Sequence, residues 1–209
     1  MQRLASFQRA ILNHAPYAII SADTQGLITS LNPAAEQMLG YTAAELVGRC
    51  SPEVFHDPVE IASRSRQLSA QLGTPVLAGF ETMVAKTRQG LPNEGEWTYI
   101  RKDGRRVQVL LSITALRDEY GAIFGFLGLS SDITERKLAE TQLLEREAQY
   151  RLLFENMITA FALHDIICDD LGQPIDYRYL EVNPAFERLT GLAASKLLGR
   201  TVREVMPAT

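Results

Sequence analysis

From Arg106 to Ala115 the chain alternates. Val107, Val109, Leu111, Ile113 and Ala115 fall on one side, with Arg106, Gln108, Ser112 and Thr114 largely on the other. A period of two predicts a strand with one buried face. Ahead of it, Trp97-Thr98-Tyr99-Ile100 leads into Arg101-Lys102-Asp103-Gly104, a hairpin signal in which Gly supplies the positive φ that a tight turn needs. A second turn, Arg117-Asp118-Glu119-Tyr120-Gly121, opens a third strand over 123–131, where Gly125 and Gly128 leave room for close approach to the backbone. Three successive antiparallel strands make a meander. Each large side chain buried on its apolar face is worth roughly 1.5–3 kcal/mol, so other elements must cover that face.

Those elements lie upstream. Leu4, Phe7 and Ile11 recur at helical spacing and predict a short amphipathic helix over 1–14, stopped by Ala15-Pro16. Residues 17–22 and 27–31 read as strands around the turn Asp23-Thr24-Gln25-Gly26. Asn32-Pro33 opens a helix, with Asn at the cap and Pro at the first helical position, and Gly40 ends it. Thr42-Ala43-Ala44-Glu45 has capping-box spacing and starts another short helix, ended by Gly48. Asp57-Pro58 caps a longer helix reaching Leu72, and Phe80 to Arg88 gives one more. A charged stretch without Gly or Pro, from Ile133 to Asn156, predicts a long helix after the meander.

The sequence then repeats itself. Asn32-Pro33-Ala34-Ala35-Glu36 returns as Asn183-Pro184-Ala185-Phe186-Glu187, Gly40 as Gly191, Leu46 as Leu197 and Gly48-Arg49 as Gly199-Arg200, at a constant offset of 151 residues. A period this long means two copies of a domain rather than a solenoid. The second copy is expected to hold two strands, over 160–167 and 177–182, and the cap helices, without the meander.

Composition narrows the class. The 209 residues are 46% hydrophobic and 22% charged with net charge −4, which is ordinary globular composition for one or two domains. Mild acidity gives no electrostatic reason to expect nucleic acid. No signal-peptide core is visible, and no run approaches the ~20 apolar residues that span a bilayer, so no membrane contact is expected of this chain. Cys50 and Cys168 lie far apart and outside any metal spacing, which points to a reduced, cytoplasmic setting and no metal.

Taken together, Asn32-Pro33-Ala34-Ala35-Glu36 through Gly40-Tyr41, Glu45-Leu46-Val47-Gly48-Arg49, Arg101-Lys102-Asp103-Gly104 and Asp132-Ile133-Thr134-Glu135-Arg136-Lys137 resemble the motifs of the PAS family in order and spacing. The resemblance covers residues 4–135, and the second copy, over 147–209, matches the front half only. It implies an α+β fold, a five-stranded antiparallel sheet of order 2-1-5-4-3 with helices on one face. It divides the chain into a PAS domain over 1–134, a helical signalling linker over 135–155 and the N-terminal part of a second PAS domain over 156–209. It also implies a sensory module with a pocket between helices and sheet, non-catalytic by itself. The alternative is the input fragment of a sensor histidine kinase or diguanylate cyclase whose catalytic domain lies beyond Thr209. A transcription-regulating PAS protein is a third reading, although no DNA-binding helix pair is visible.

Candidate chemistry is sparse. His14 is expected to cap or pack, and His164 to sit in a strand rather than act as a phosphoacceptor. Haem-binding relatives ligate iron through a His on the long helix. His56 precedes that helix, and residues 59–72 contain no His, so a structural or capping role is expected. Flavin-binding relatives resemble Gly-Arg-Asn-Cys-Arg-Phe, but Gly48-Arg49-Cys50-Ser51-Pro52-Glu53 places the Cys one position early, and Cys50 is expected to be a small buried side chain. Neither haem nor flavin is expected. Arg101, Lys102, Arg105 and Arg106 are expected to solvate a hairpin tip, and neither a phosphate loop nor a carboxylate pair for acid–base work is present.

If a small-molecule pocket exists, its expected wall is Ile20, Met38, Leu46, Phe55, Ile61, Leu111 and Phe126, a filled core being the alternative. The expected relay is Asp132, Ile133 and Thr134, which end the last strand and cap the long helix with Asp or Thr oxygens, and Leu143 further along. Ala139, Leu143, Tyr150, Leu153 and Met157 form a heptad-like stripe, interrupted by Arg146 and widened by Leu144 and Phe154. That stripe predicts a homodimer through residues 1–14 and 135–155, linked to a downstream effector.

Overall fold

The computed structural model describes Phe7, Ala10 and residues 12–206. The predicted helix over 1–14 lies mostly outside these residues; 12–14 are helical, and His14, expected to cap or pack, is solvent-exposed there. The chain divides into two compact units, Met1–Leu138 and Ala139–Thr209.

In the first unit, strands β1 (Ala18–Asp23), β2 (Ile28–Leu31), β3 (Glu94–Ile100), β4 (Arg106–Arg117) and β5 (Ile123–Asp132) form one antiparallel sheet of order β2-β1-β5-β4-β3. Helices α1 (Pro33–Leu39), α2 (Ala43–Leu46), α3 (Pro58–Leu72) and α4 (Phe80–Arg88), with a 3-10 turn at Pro52–Phe55, pack on one face. The alternation read in β4 holds: Val107, Val109 and Leu111 are buried against Phe55, Ile61 and Met83 from the helical layer, while Arg106 and Thr114 are exposed.

Local chemistry explains the joints. Asn32 caps α1, and all its side-chain hydrogen-bonding capacity is used: Oδ1 accepts from Ile19 N and Ala35 N, and Nδ2 donates to Leu12 O and Tyr17 O, all at 2.9–3.0 Å. One buried side chain therefore ties residues 12–17, β1 and α1 together. Asn32→Ala would leave the buried Ala35 N–H and the part-buried Ile19 N–H without their acceptor and is expected to cost about 1–3 kcal/mol in urea-unfolding measurements; an unchanged unfolding midpoint would contradict this. Gly26, at φ +92°, turns β1 into β2 where a Cβ would come within 2.7 Å of the Phe80 ring, so only glycine fits.

The basic hairpin departs from expectation. Rather than solvating a tip, it clasps the helices. Arg101 Nη1 donates to Gln37 O and Met38 O at the end of α1, Lys102 pairs with Glu45, and Arg106 pairs with Asp57. Only Arg105 behaves as predicted, with its side chain largely in solvent. The reason is tertiary: α1 ends beside the hairpin, and its last carbonyls need donors.

A single helix, α5 (Thr134–Asn156), follows β5. The second unit holds the hairpin β6 (Ala162–Cys168) and β7 (Pro174–Val182), then α6 (Pro184–Thr190), α7 (Ala194–Leu197) and α8 (Val202–Val205). Asn183 repeats the joint of Asn32: Oδ1 accepts from Phe161 N and Phe186 N, and Nδ2 donates to Thr159 O. Tyr179, Val182 and Leu197 form a small core, and His164 packs at 4.5 Å from the Tyr179 ring. Phe154 is buried against Phe161 and stacked on Tyr150, so it belongs to the packing of this unit rather than to a free stripe on α5.

Candidate functional site: a sheet cavity and the start of the long helix

A cavity of about 40 Å³ lies between the sheet and the helices of the first unit. Ile20 on β1, Phe55 on the 3-10 turn, Leu111 on β4 and Phe126 on β5 line it together. Met38, Leu46 and Ile61 do not. Leu46 and Ile61 are buried elsewhere in the same core and Met38 is half-buried against it, because α4 occupies the place above the cavity. Phe80, Met83 and Val84 of α4 supply that side of the wall. Their i, i+3, i+4 spacing was the available signal. Cys50 is half-buried and stands outside the lining.

The residue that sequence reasoning undervalued is His56. It lines the cavity and is only 3% exposed. Its ring sits among aromatic neighbours, 5.2 Å from Phe55, 4.7 Å from Tyr99 and 5.3 Å from Trp97. Nδ1 lies 2.8 Å from Pro52 O. A carbonyl only accepts, so Nδ1 carries the proton and Nε2 presents a bare lone pair. Among the described residues Nε2 has no partner. Burial pushes the pKa of His56 down to about 4, outweighing the Pro52 carbonyl and Glu60, which favour the charged form. The imidazole is therefore neutral at pH 7. The other polar group of the wall is satisfied: Tyr99 Oη and Ser130 Oγ are 2.6 Å apart, and burial raises the pKa of that phenol.

From the cavity the path to α5 is short. Phe126 and Gly128 of β5 line the cavity, and β5 ends at Asp132. Asp132 Oδ1 accepts from Thr134 N at 2.8 Å. Buried Ile133 donates its N–H to Gln108 O at 2.8 Å, and Gln108 N donates to Thr134 Oγ1 at 3.1 Å. The Thr hydroxyl thus serves strand β4 rather than a free N–H of the helix, because Ile133 extends the ladder and leaves Thr134 beside the next N–H of Gln108. Lys137 adds an ion pair to Glu96 on β3 at 2.7 Å. Leu143, further along α5, is 67% exposed and takes no part in this joint.

Among the described residues no cluster of His, Cys, Asp or Glu could hold a metal, and no helix is long and apolar enough to cross a membrane.

Comparison with known proteins agrees with this architecture. A PAS-domain model matches residues 16–135, more than half of the chain, and a second PAS-domain model matches 148–209. The chain belongs to the PAS family. The PAS domain of a Colwellia psychrerythraea protein superposes with a TM-score of 0.50 at 18% identity, covering 63% of this chain and 98% of that one. An RNA-binding light-oxygen-voltage receptor gives 0.54 at 20% identity, covering 71% of this chain and 38% of that one. Both show the fold alone. Among curated relatives, the C4-dicarboxylate transport sensor protein of Rhodobacter capsulatus is 27% identical over 81% of this chain and 24% of its own. A signal transduction histidine-protein kinase of Escherichia coli is 25% identical over 75% and 22%, and a phytochrome of Picea abies 23% identical over 91% and 15%. The chain thus spans less than a quarter of the length of these relatives. As a PAS protein it is a sensory module of signal transduction.

Proposed function

We propose that this PAS chain is the cytoplasmic input region of a two-component sensor, passing the state of the cavity through α5 to a downstream effector. The observation that carries this reading is the joint at Asp132–Thr134. The strand that contributes Phe126 and Gly128 to the cavity wall runs directly into α5, and bonds to Gln108 hold the helix start on the sheet. A shift of β5 and β4 would displace the helix through those same bonds. The histidine kinase and sensor relatives favour a kinase as effector. Domain limits at 134 and 155 go with this reading. So does a homodimer, with α5 of two copies side by side and residues 1–14 flanking them, since Leu143 and Leu153 are left exposed.

The test is a chimera joining residues 1–156, in helical register, to a histidine kinase core deprived of its own input. Asp132→Ala and Thr134→Val are expected to change autophosphorylation, while Glu119→Ala on the β4–β5 turn leaves it unaltered. Equal output from all of these proteins contradicts the relay.

A further inference from the structure

The sheet has a second hold on α5, at its edge. An edge strand carries outward N–H and C=O groups that need partners. On β3 the helix α3 supplies them. Glu60 Oε2 accepts from Thr98 N at 2.8 Å, and Arg64, one turn further along α3, donates to Glu96 O. Glu60 and Arg64 are themselves paired at 2.6 Å, and the Arg64 guanidinium lies 4.1 Å from the centre of the Trp97 ring. Ahead of them Asp57 caps α3 and donates its own N–H to Thr98 O at 3.2 Å, while His56, in the cavity wall, bridges to Tyr99. The outer edge of β3 is therefore fastened to α3 and to the turn before it from Glu96 to Tyr99.

Glu96 carries that fastening on to α5. Its carbonyl is held by Arg64 of α3, and its carboxylate meets the first turn of α5, 2.7 Å from Lys137 Nζ and 3.6 Å from Arg136 Nη2. One residue thus engages two helices with two different groups. The joint at Asp132–Thr134 uses β4 and β5, and none of its bonds involves β3. The two holds are separate in the structure. Resting on the reading of α5 as the output element, we propose that Glu96 is a positioning residue for that helix. Through it, movement of α3 and the His56 turn reaches α5 by way of β3, without passing through β5.

Amide hydrogen exchange of the full chain, followed residue by residue by NMR, tests this with no kinase attached. Lys137 N donates to Ile133 O at 2.9 Å, so its amide exchanges when the first turn of α5 opens. Glu96→Gln is expected to speed exchange at Lys137 and Leu138 by about two- to fivefold, the range an exposed ion pair supplies, while the amides of β4 and β5 change less. Glu96→Lys and Lys137→Glu should each do the same, and the two combined should restore the wild-type rates, which a role in packing alone would not allow. Arg64→Met keeps an aliphatic stem over Trp97 and removes the donors. It should speed the same α5 amides in the wild-type chain but not in Glu96→Gln. Unchanged rates in Glu96→Gln, a charge swap that restores nothing, or an Arg64→Met effect that is absent from the wild type or undiminished in Glu96→Gln overturns the proposal. The chimera reads output through Asp132 and Thr134 with Glu96 intact, whereas exchange reads the hold on α5 alone, so each can fail independently of the other.

Discussion

Lowering the pH from 6.5 to 4 is expected to remove about 3 kcal/mol of folding stability through His56 alone. The sign follows from which state takes the proton first. The unfolded chain protonates His56 near 6.5, whereas in the folded protein burial holds its pKa at about 4. Above 6.5 neither state carries the proton and the full stability is present. Between 6.5 and 4 the unfolded state gains a proton that the folded state refuses, so stability falls as pH falls. Below 4 both states are protonated and this contribution is flat. Pairing and hydrogen bonding with Lys102 hold Glu45 down at about 2, so its loss sets in as pH falls through the unfolded value of 4.5 and overlaps only the foot of the His56 window, while the Val59 N–H, ahead of Arg106, lowers Asp57 from 3.8, so that loss comes below it. Urea unfolding of wild type and His56→Phe across pH 4–7 separates the contributions. The difference between the two stabilities should narrow or invert toward pH 4 as the wild type loses stability. Parallel curves through that window would show that His56 is not held neutral.

The second large effect concerns residues 147–209 taken alone. In the first unit β1 is paired on both sides, by β2 and by β5. Among the described residues of the second unit, β6 pairs with β7 only, and Leu163, Ile166 and Leu180 on this hairpin are about half exposed. A two-stranded sheet is marginal in water, and a free edge invites pairing with another chain. The buried set is small, with Tyr179, Val182, Ala185 and Leu197 its main members. A 147–209 fragment is therefore expected to show no cooperative thermal transition by circular dichroism, or to self-associate in sedimentation. A sharp melt of a monomeric fragment contradicts this.

What could be read from the chain was what depends on neighbours in sequence. The period-two pattern of Val107 to Ala115, the caps at Asn32, Thr42 and Asp57, the Gly40 and Gly104 turns and the duplicate at Asn183 are local, and each reappears in the structure. What escaped depends on partners far away. The basic hairpin looked solvated because Met38, Glu45 and Asp57, its partners, lie 49–63 residues earlier in the chain. Among apolar residues, which ones face a void and which face each other is decided by where α4 lands, so Leu46 and Ile61 could not be told apart from Phe55 and Leu111. His56 read as a cap or packing residue because spacing carries no information about whether Nε2 finds a partner.

The proposed function rests on two copies of the chain acting together through α5, where Leu143 is 67% and Leu153 62% exposed while Tyr150 bonds Glu181 within its own unit. Sedimentation equilibrium of the full chain, wild type beside Leu143→Asp, tests this most directly. The expected result is a wild-type dimer whose dissociation constant rises clearly when a carboxylate is placed in the stripe. A wild type that stays monomeric at high micromolar concentration, or a dimer constant that Leu143→Asp leaves unchanged, contradicts it.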